Sequence, residues 1–128
     1  MREDVKELIA SAENNLRAAR NLCEHEIYSL ACFHSHQAVE LLLKAYLLQK
    51  AGKYPFTHSI FNLLKLCDEE DSEFKILLQL GVPGLESYYV RTRYPPLMKV
   101  TEEEAEEAIK LAEKVREFVL GKLNIDWE

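Results

Sequence analysis

The sequence predicts an all-α protein, an antiparallel up-and-down helical bundle of about five helices. Apolar residues recur at three- and four-residue spacing through its long segments, the periodicity of a helix with one buried face. Glycine and proline number four each in 128 residues, too few for the tight turns of an all-β chain. Capping residues stand where the periodic segments begin and end.

The first segment, Arg2 to about Cys23, sets Val5, Leu8, Ile9, Ala12, Leu16, Ala19 and Cys23 on a single stripe. The second, about Glu26 to Ala51, is apolar nearly all round, from Ile27 and Leu30 through Val39, Leu42 and Leu43 to Leu48. A helix of that kind is buried on several sides, which places it at the centre of the bundle. Gly52 occupies a C-cap position, and "GKYPFT" is the loop that follows. Thr57 is positioned to cap a third helix, His58 to about Cys67, with Ile60, Leu63, Leu64 and Cys67 facing inward. A shorter helix spans Ser72 to Leu80, "GVPG" interrupts it, and a helix resumes over Leu85 to Val90. Pro95 and Pro96 disfavour α geometry at Tyr94 and end that run. Thr101 and Glu104 form a T-x-x-E capping box that opens the last helix. Its first turns are rich in glutamate and its later ones carry Lys114, Arg116 and Lys122, in the sense that suits the helix dipole.

The composition, 48% hydrophobic and 30% charged, is that of a globular chain, and residues 1–128 read as one domain. A formal net charge of -6 excludes a surface that is a nucleic-acid platform throughout, because phosphate is repelled by a uniformly acidic face. A local basic patch remains open. The N-terminus has no signal-peptide core, and no apolar run approaches the roughly 18 residues of a membrane span. Cys23, Cys32 and Cys67 are odd in number and form no CxxC, as expected of buried thiols in a reducing compartment. The expectation is a cytoplasmic protein with no membrane contact. Neither GxGxxG nor GxxxxGK[ST] occurs, and no cofactor is expected. His34 and His36 lie about 200° apart on a helix and cannot grip one ion. Cys32 and His36 have suitable i,i+4 spacing, but no further ligand pair accompanies them, so no metal site is expected.

Two stretches hold polar residues that the bundle does not require. On the central helix Gln37, Glu40 and Lys44 fall within about 60° of one another, with His36 some 40° beyond. Glu40 precedes Lys44 by four residues, the favourable order for a helical ion pair. The stripe is either the solvent face of that helix or the lining of a groove or subunit interface. The second stretch is "YYVRTRYPP", residues 88–96, which sets Arg91 and Arg93 among three tyrosines at a helix end. The arginines can satisfy C-terminal carbonyls while the tyrosines pack in the core. They can instead present guanidinium forks to phosphate, with Tyr88, Tyr89 or Tyr94 stacking on a base. A third arrangement pairs Arg93 with Glu40 and pins the segment to the central helix.

Taken in order, "HSHQAVELLLKAYL", "THSIFNLLK" and "YYVRTRYP" resemble the HEPN family, the higher-eukaryote and prokaryote nucleotide-binding domain, over essentially the whole chain. The resemblance implies a small all-α bundle, commonly a homodimer, often paired with a minimal nucleotidyltransferase in a toxin–antitoxin-like system. It also implies one of two activities: a non-catalytic nucleotide- or partner-binding module, or a metal-independent RNase. The RNases carry Arg, a polar residue and then His near the start of a late helix. No histidine follows Arg93 here. The pattern occurs by letter at "RNLCEH", Arg20 to His25, but at the junction of the first two helices. The expectation is therefore the binding module, with Arg91, Arg93, Tyr94, Lys44, Glu40, Gln37, His36 and His58 as its ligand- or partner-binding residues. If the chain is an RNase, Arg93 and His58 are the catalytic pair, brought together from different segments.

Overall fold

A computed structural model describes residues 1–97 and 99–124. The regular structure of these residues is helical: α1 (Glu3–Glu24), α2 (Tyr28–Ala51), α3 (Ile60–Glu70), α4 (Lys75–Gln79), α5 (Tyr88–Arg91) and α6 (Glu102–Lys122), with 3-10 turns at Ser72–Phe74 and Val82–Ser87. The first stripe behaves as its periodicity requires, because Val5, Ile9, Ala12, Leu16 and Ala19 are all buried. Helix α2 is buried nearly all round and packs against α1, α3, α5 and α6. It forms the axis of the molecule.

α1 and α2 run antiparallel. Val5 and Ile9 at the start of α1 cluster with Ala45 and Leu48 at the end of α2, and Asn15 bonds His34 at mid-length. α6 lies along α1 in the opposite sense, tied by Arg20 to Glu113 at 2.7 Å and by Arg116 to Glu13. The ion pair at Arg20 also explains the "RNLCEH" letters: Arg20 belongs to the α1–α6 seam, and His25 closes α1 through its ring nitrogen on the Asn21 carbonyl. Phe74 is fully buried between Tyr46 and Phe118, at centroid distances of 4.5 and 4.9 Å, and fixes the α3–α4 junction onto α2 and α6.

Gly52 ends α2 at φ 79°, its N–H donating to the Leu48 carbonyl, as its C-cap position predicts. The third helix starts later than its sequence suggests. Ser59, not Thr57, is the N-cap, with Ser59 Oγ accepting from Asn62 N, while Thr57 Oγ1 accepts from Ser59 N. His58 is thereby left in the loop. The reason is tertiary: the His58 ring and carbonyl are both held by α2, which prevents residue 58 from joining the helical turn. The short helices around residues 72–90 tighten into 3-10 geometry in their first turns.

At the last helix the Thr101 side chain accepts from Glu104 N and Glu104 reaches back to Thr101 N, the full capping box. Thr101→Ala removes one of the two reciprocal bonds. Urea unfolding of this variant is expected to show a loss of about 1 kcal/mol with an unchanged denaturant slope.

Candidate functional site

The polar stripe on α2 is not a solvent face. His36 is 0% exposed, Glu40 4% and Lys44 7%, and Gln37 is half-buried. Such burial requires partners, and Glu40 has them. Lys44 Nζ donates to Glu40 Oε2 at 2.8 Å. His58, from the loop before α3, directs Nδ1 at the same carboxylate, 3.0 Å from Oε1 and 3.2 Å from Oε2. A carboxylate accepts only, so His58 Nδ1 is the donor, and Nε2 of this partly exposed ring has no hydrogen-bond partner among the described residues. Tyr54 lies against the Lys44 ammonium, 5.4 Å from ring centroid to nitrogen. Lys44 is therefore committed to Glu40 and covered by Tyr54, and does not reach the surface that a ligand would touch.

His36 holds the other side of this junction. Its Nε2 donates to the His58 carbonyl at 3.1 Å, which fixes the backbone of the residue whose ring Glu40 fixes. Nδ1 of His36 is buried without a hydrogen-bond partner among the described residues. Burial holds the His36 pKa below its ordinary value of 6.5, and the ring stays neutral.

The second half of the site comes from α5 and the turn after it. Tyr88 points into the core beside Cys32, where burial raises the pKa of both to about 12. Tyr89 points the other way and stacks on His58, ring centroids 4.2 Å apart and planes 19° from parallel. The prolines stop the helix, and its last carbonyls are met locally: Thr92 Oγ1 donates to Tyr88 O, and Arg93 Nε donates to Tyr89 O at 2.9 Å. That bond lays the guanidinium beside Tyr89, 4.3 Å from its ring centroid, with Phe33 at 5.0 Å and Tyr94 at 5.1 Å. The terminal nitrogens of Arg93 have no hydrogen-bond partner among the described residues.

Arg93 and His58 therefore meet on one tyrosine, each within 4.3 Å of the Tyr89 centroid. Arg93 does not pair with Glu40, whose oxygens are taken by Lys44 and His58. Arg91 is exposed at the end of α5, and Tyr94 is also exposed. The structure puts at the centre Tyr89, which the sequence offers only as one of three tyrosines able to stack on a base, and at the edge Phe33, which the sequence leaves out. Tyr89 is detectable as the residue four before Arg93, on the same helical face. Phe33, on the Arg93 side of Tyr89, carries no signal beyond hydrophobicity. No group of three or more His, Cys, Asp or Glu side chains suited to a metal ion occurs among the described residues. No helix among them is long and apolar enough to cross a membrane.

His36 gives this junction a pH dependence. The unfolded chain takes up a proton near 6.5 while the folded chain resists it, so the contribution to stability is complete above that pH and falls as pH drops through it. The urea midpoint is expected to decline between pH 7.5 and 5. In His36→Gln, which keeps a donor for the His58 carbonyl but does not titrate, the decline should be shallower.

A family model described as HEPN domain matches residues 5–123. Among curated proteins, "Putative toxin MJ1304" of Methanocaldococcus jannaschii is 32% identical, the match covering 89% of this chain and 84% of the relative. Among solved structures, TT1696 from Thermus thermophilus superposes with a TM-score of 0.83 at 33% identity, covering 94% of this chain and 99% of that one. ST0689, an archaeal HEPN homologue, gives 0.73 at 30% identity, covering 96% and 99%. With its helical bundle and nearly its full length matched, the chain belongs to the HEPN domain family.

Proposed function

We propose that the protein is a toxin-type HEPN module that holds a nucleotide or RNA phosphate on the surface made by Arg93, Tyr89 and His58. The observation that carries this reading is the pairing of two unfilled donors or acceptors on one tyrosine: the terminal nitrogens of Arg93 and the free Nε2 of His58. A guanidinium fork is matched to phosphate oxygens, and its stacking on Tyr89 fixes its plane before a ligand arrives. Arg91, exposed two residues away, adds a second positive charge to the approach. Glu40 and Lys44 act from behind, holding His58 in one orientation. The toxin assignment takes its support from the likeness to "Putative toxin MJ1304" of Methanocaldococcus jannaschii. On this reading the chain works in the cytoplasm, as a homodimer, with a minimal nucleotidyltransferase as its partner, in keeping with its family.

A second reading, metal-independent RNA cleavage, is favoured by the geometry of Glu40 and His58. A carboxylate on Nδ1 leaves Nε2 available as a base, the arrangement that general acid–base catalysis uses. His58 Nε2 takes the proton of a ribose 2′-hydroxyl, the 2′-oxygen attacks phosphorus, and Arg93 steadies the charge on the pentacovalent phosphate. The 5′-oxygen leaves with a proton, giving a 2′,3′-cyclic phosphate and a 5′-hydroxyl. Within one copy His36 cannot supply that last proton, because it is buried and neutral. A second His58 from a facing copy supplies it when that ring starts the step protonated on Nε2 as well as Nδ1.

Incubation of the protein without metal with labelled single-stranded RNA separates the readings. Arg93→Ala is expected to leave the far-UV CD spectrum nearly unchanged and to weaken RNA or nucleotide binding about tenfold. Cleavage by the wild type that Arg93→Ala and His58→Ala both lose selects the RNase reading. Binding without cleavage selects the module. Neither binding nor cleavage overturns the phosphate site and leaves a docking surface for a protein partner.

A further inference from the structure

We infer that Phe56 is the residue on which this site stacks a nucleobase, so that the site takes a single-stranded nucleotide chain in preference to a bare phosphate or a duplex. The inference rests on the phosphate reading above and names the part of the ligand that reading leaves open. Phe56 is 97% exposed, the most exposed large apolar side chain among the described residues. Single exposed apolar side chains are ordinary on protein surfaces, and what sets Phe56 apart is its degree of exposure together with its ring contact to His58.

The position is anchored on both sides. Two residues before it, Tyr54 packs on Lys44; two residues after it, His58 is held by Glu40 through its ring and by His36 through its carbonyl. Thr57 Oγ1 accepts from Ser59 N and fixes the turn between them, and Pro55 restricts the backbone on the other side. The ring is thus presented by a constrained backbone, and little ordering remains to be done when a ligand binds.

Its surroundings tie it to the same site. Among the described residues its one ring contact is with His58, edge-on at 6.2 Å and 62°, which leaves the Phe56 faces open. From there the series continues without a gap: His58 stacks on Tyr89, and Tyr89 carries Arg93. An exposed aromatic face in series with a histidine, a tyrosine and an arginine offers the two elements by which proteins hold single strands, charge for the backbone and a ring for the base. A base in a duplex has both faces covered by its neighbours and cannot use the platform.

The test is equilibrium binding to the full chain of three probes: ribose 5-phosphate, a 5′-phosphorylated 2′-O-methyl RNA hexamer, which has no 2′-hydroxyl to attack, and the same hexamer in a duplex. The wild type is expected to favour the single strand. Phe56→Ala should weaken the single strand about tenfold and leave ribose 5-phosphate unchanged, and Phe56→Trp should retain single-strand binding. Arg93→Ala should weaken both ligands. Hexamer binding by Phe56→Ala equal to wild type, with Arg93→Ala still defective, removes the platform and leaves the phosphate site standing. A loss in Phe56→Ala accompanied by a changed elution volume on sizing assigns the ring to a contact between copies and overturns the inference. Failure of the wild type to bind any of the probes overturns the inference together with the phosphate reading.

Discussion

A carboxylate inside a helical bundle needs its lone pairs filled, and the Glu40 side chain is where this structure meets that requirement. Removing an ionised carboxylate from water costs several kcal/mol, which attraction to a partner offsets only if the geometry is good and the remaining acceptor sites are used. Lys44 provides the charge from one turn further along the same helix. The remaining acceptor sites are met from the loop that returns from Gly52, by the His58 ring. That single demand fixes the path of residues 52–59, delays the start of α3 to Ile60, and gives Tyr89 a flat surface on which to stack.

The arrangement separates support from contact. Glu40 and Lys44 are buried and spend their polar groups on each other and on the loop, and the buried His36 holds the loop through Nε2. His58 and Arg93 sit in front of them with polar nitrogens unused. The orientation of these two surface side chains is thus set by the helix core, the support that a preorganised site requires. It also explains why a helix at the centre of a bundle carries charge. Replacing the pair by apolar residues would serve the core equally well or better, but would release His58.

HEPN membership fixes the fold and narrows the chemistry without selecting it, because one fold hosts several activities and the site decides among them. The late-helix Arg–His pattern of the family's RNases is missing in linear form after Arg93. A histidine nevertheless reaches the same tyrosine as Arg93, from the segment between α2 and α3. A motif defined along the chain and side chains brought together in space are different things, and here His58 and Arg93 share a tyrosine without sharing a segment.

The sequence by itself determined the helices: the α1 stripe, the all-round burial of α2, the Gly52 cap and the Thr101 capping box all follow from interactions within a few residues, which periodicity and capping chemistry record directly. It also brought candidate residues forward, Arg93 by its place at a helix end and His58 through the resemblance to the HEPN family. Which way the Gln37–Glu40–Lys44 stripe faces was decided only by the tertiary structure, because a polar stripe on a helix looks the same whether water or a returning loop covers it. The same holds for the Arg93 guanidinium, which takes Tyr89 in place of Glu40, and for Ser59 displacing Thr57 as the cap of α3. The burial of the stripe and the late start of α3 depend on groups 18 or more residues apart arriving within hydrogen-bond distance, and Arg93 is left to a carbonyl of its own helix because Glu40 is already filled. No local pattern encodes that, because the free energy that selects it comes from satisfying a buried charge that belongs to another segment.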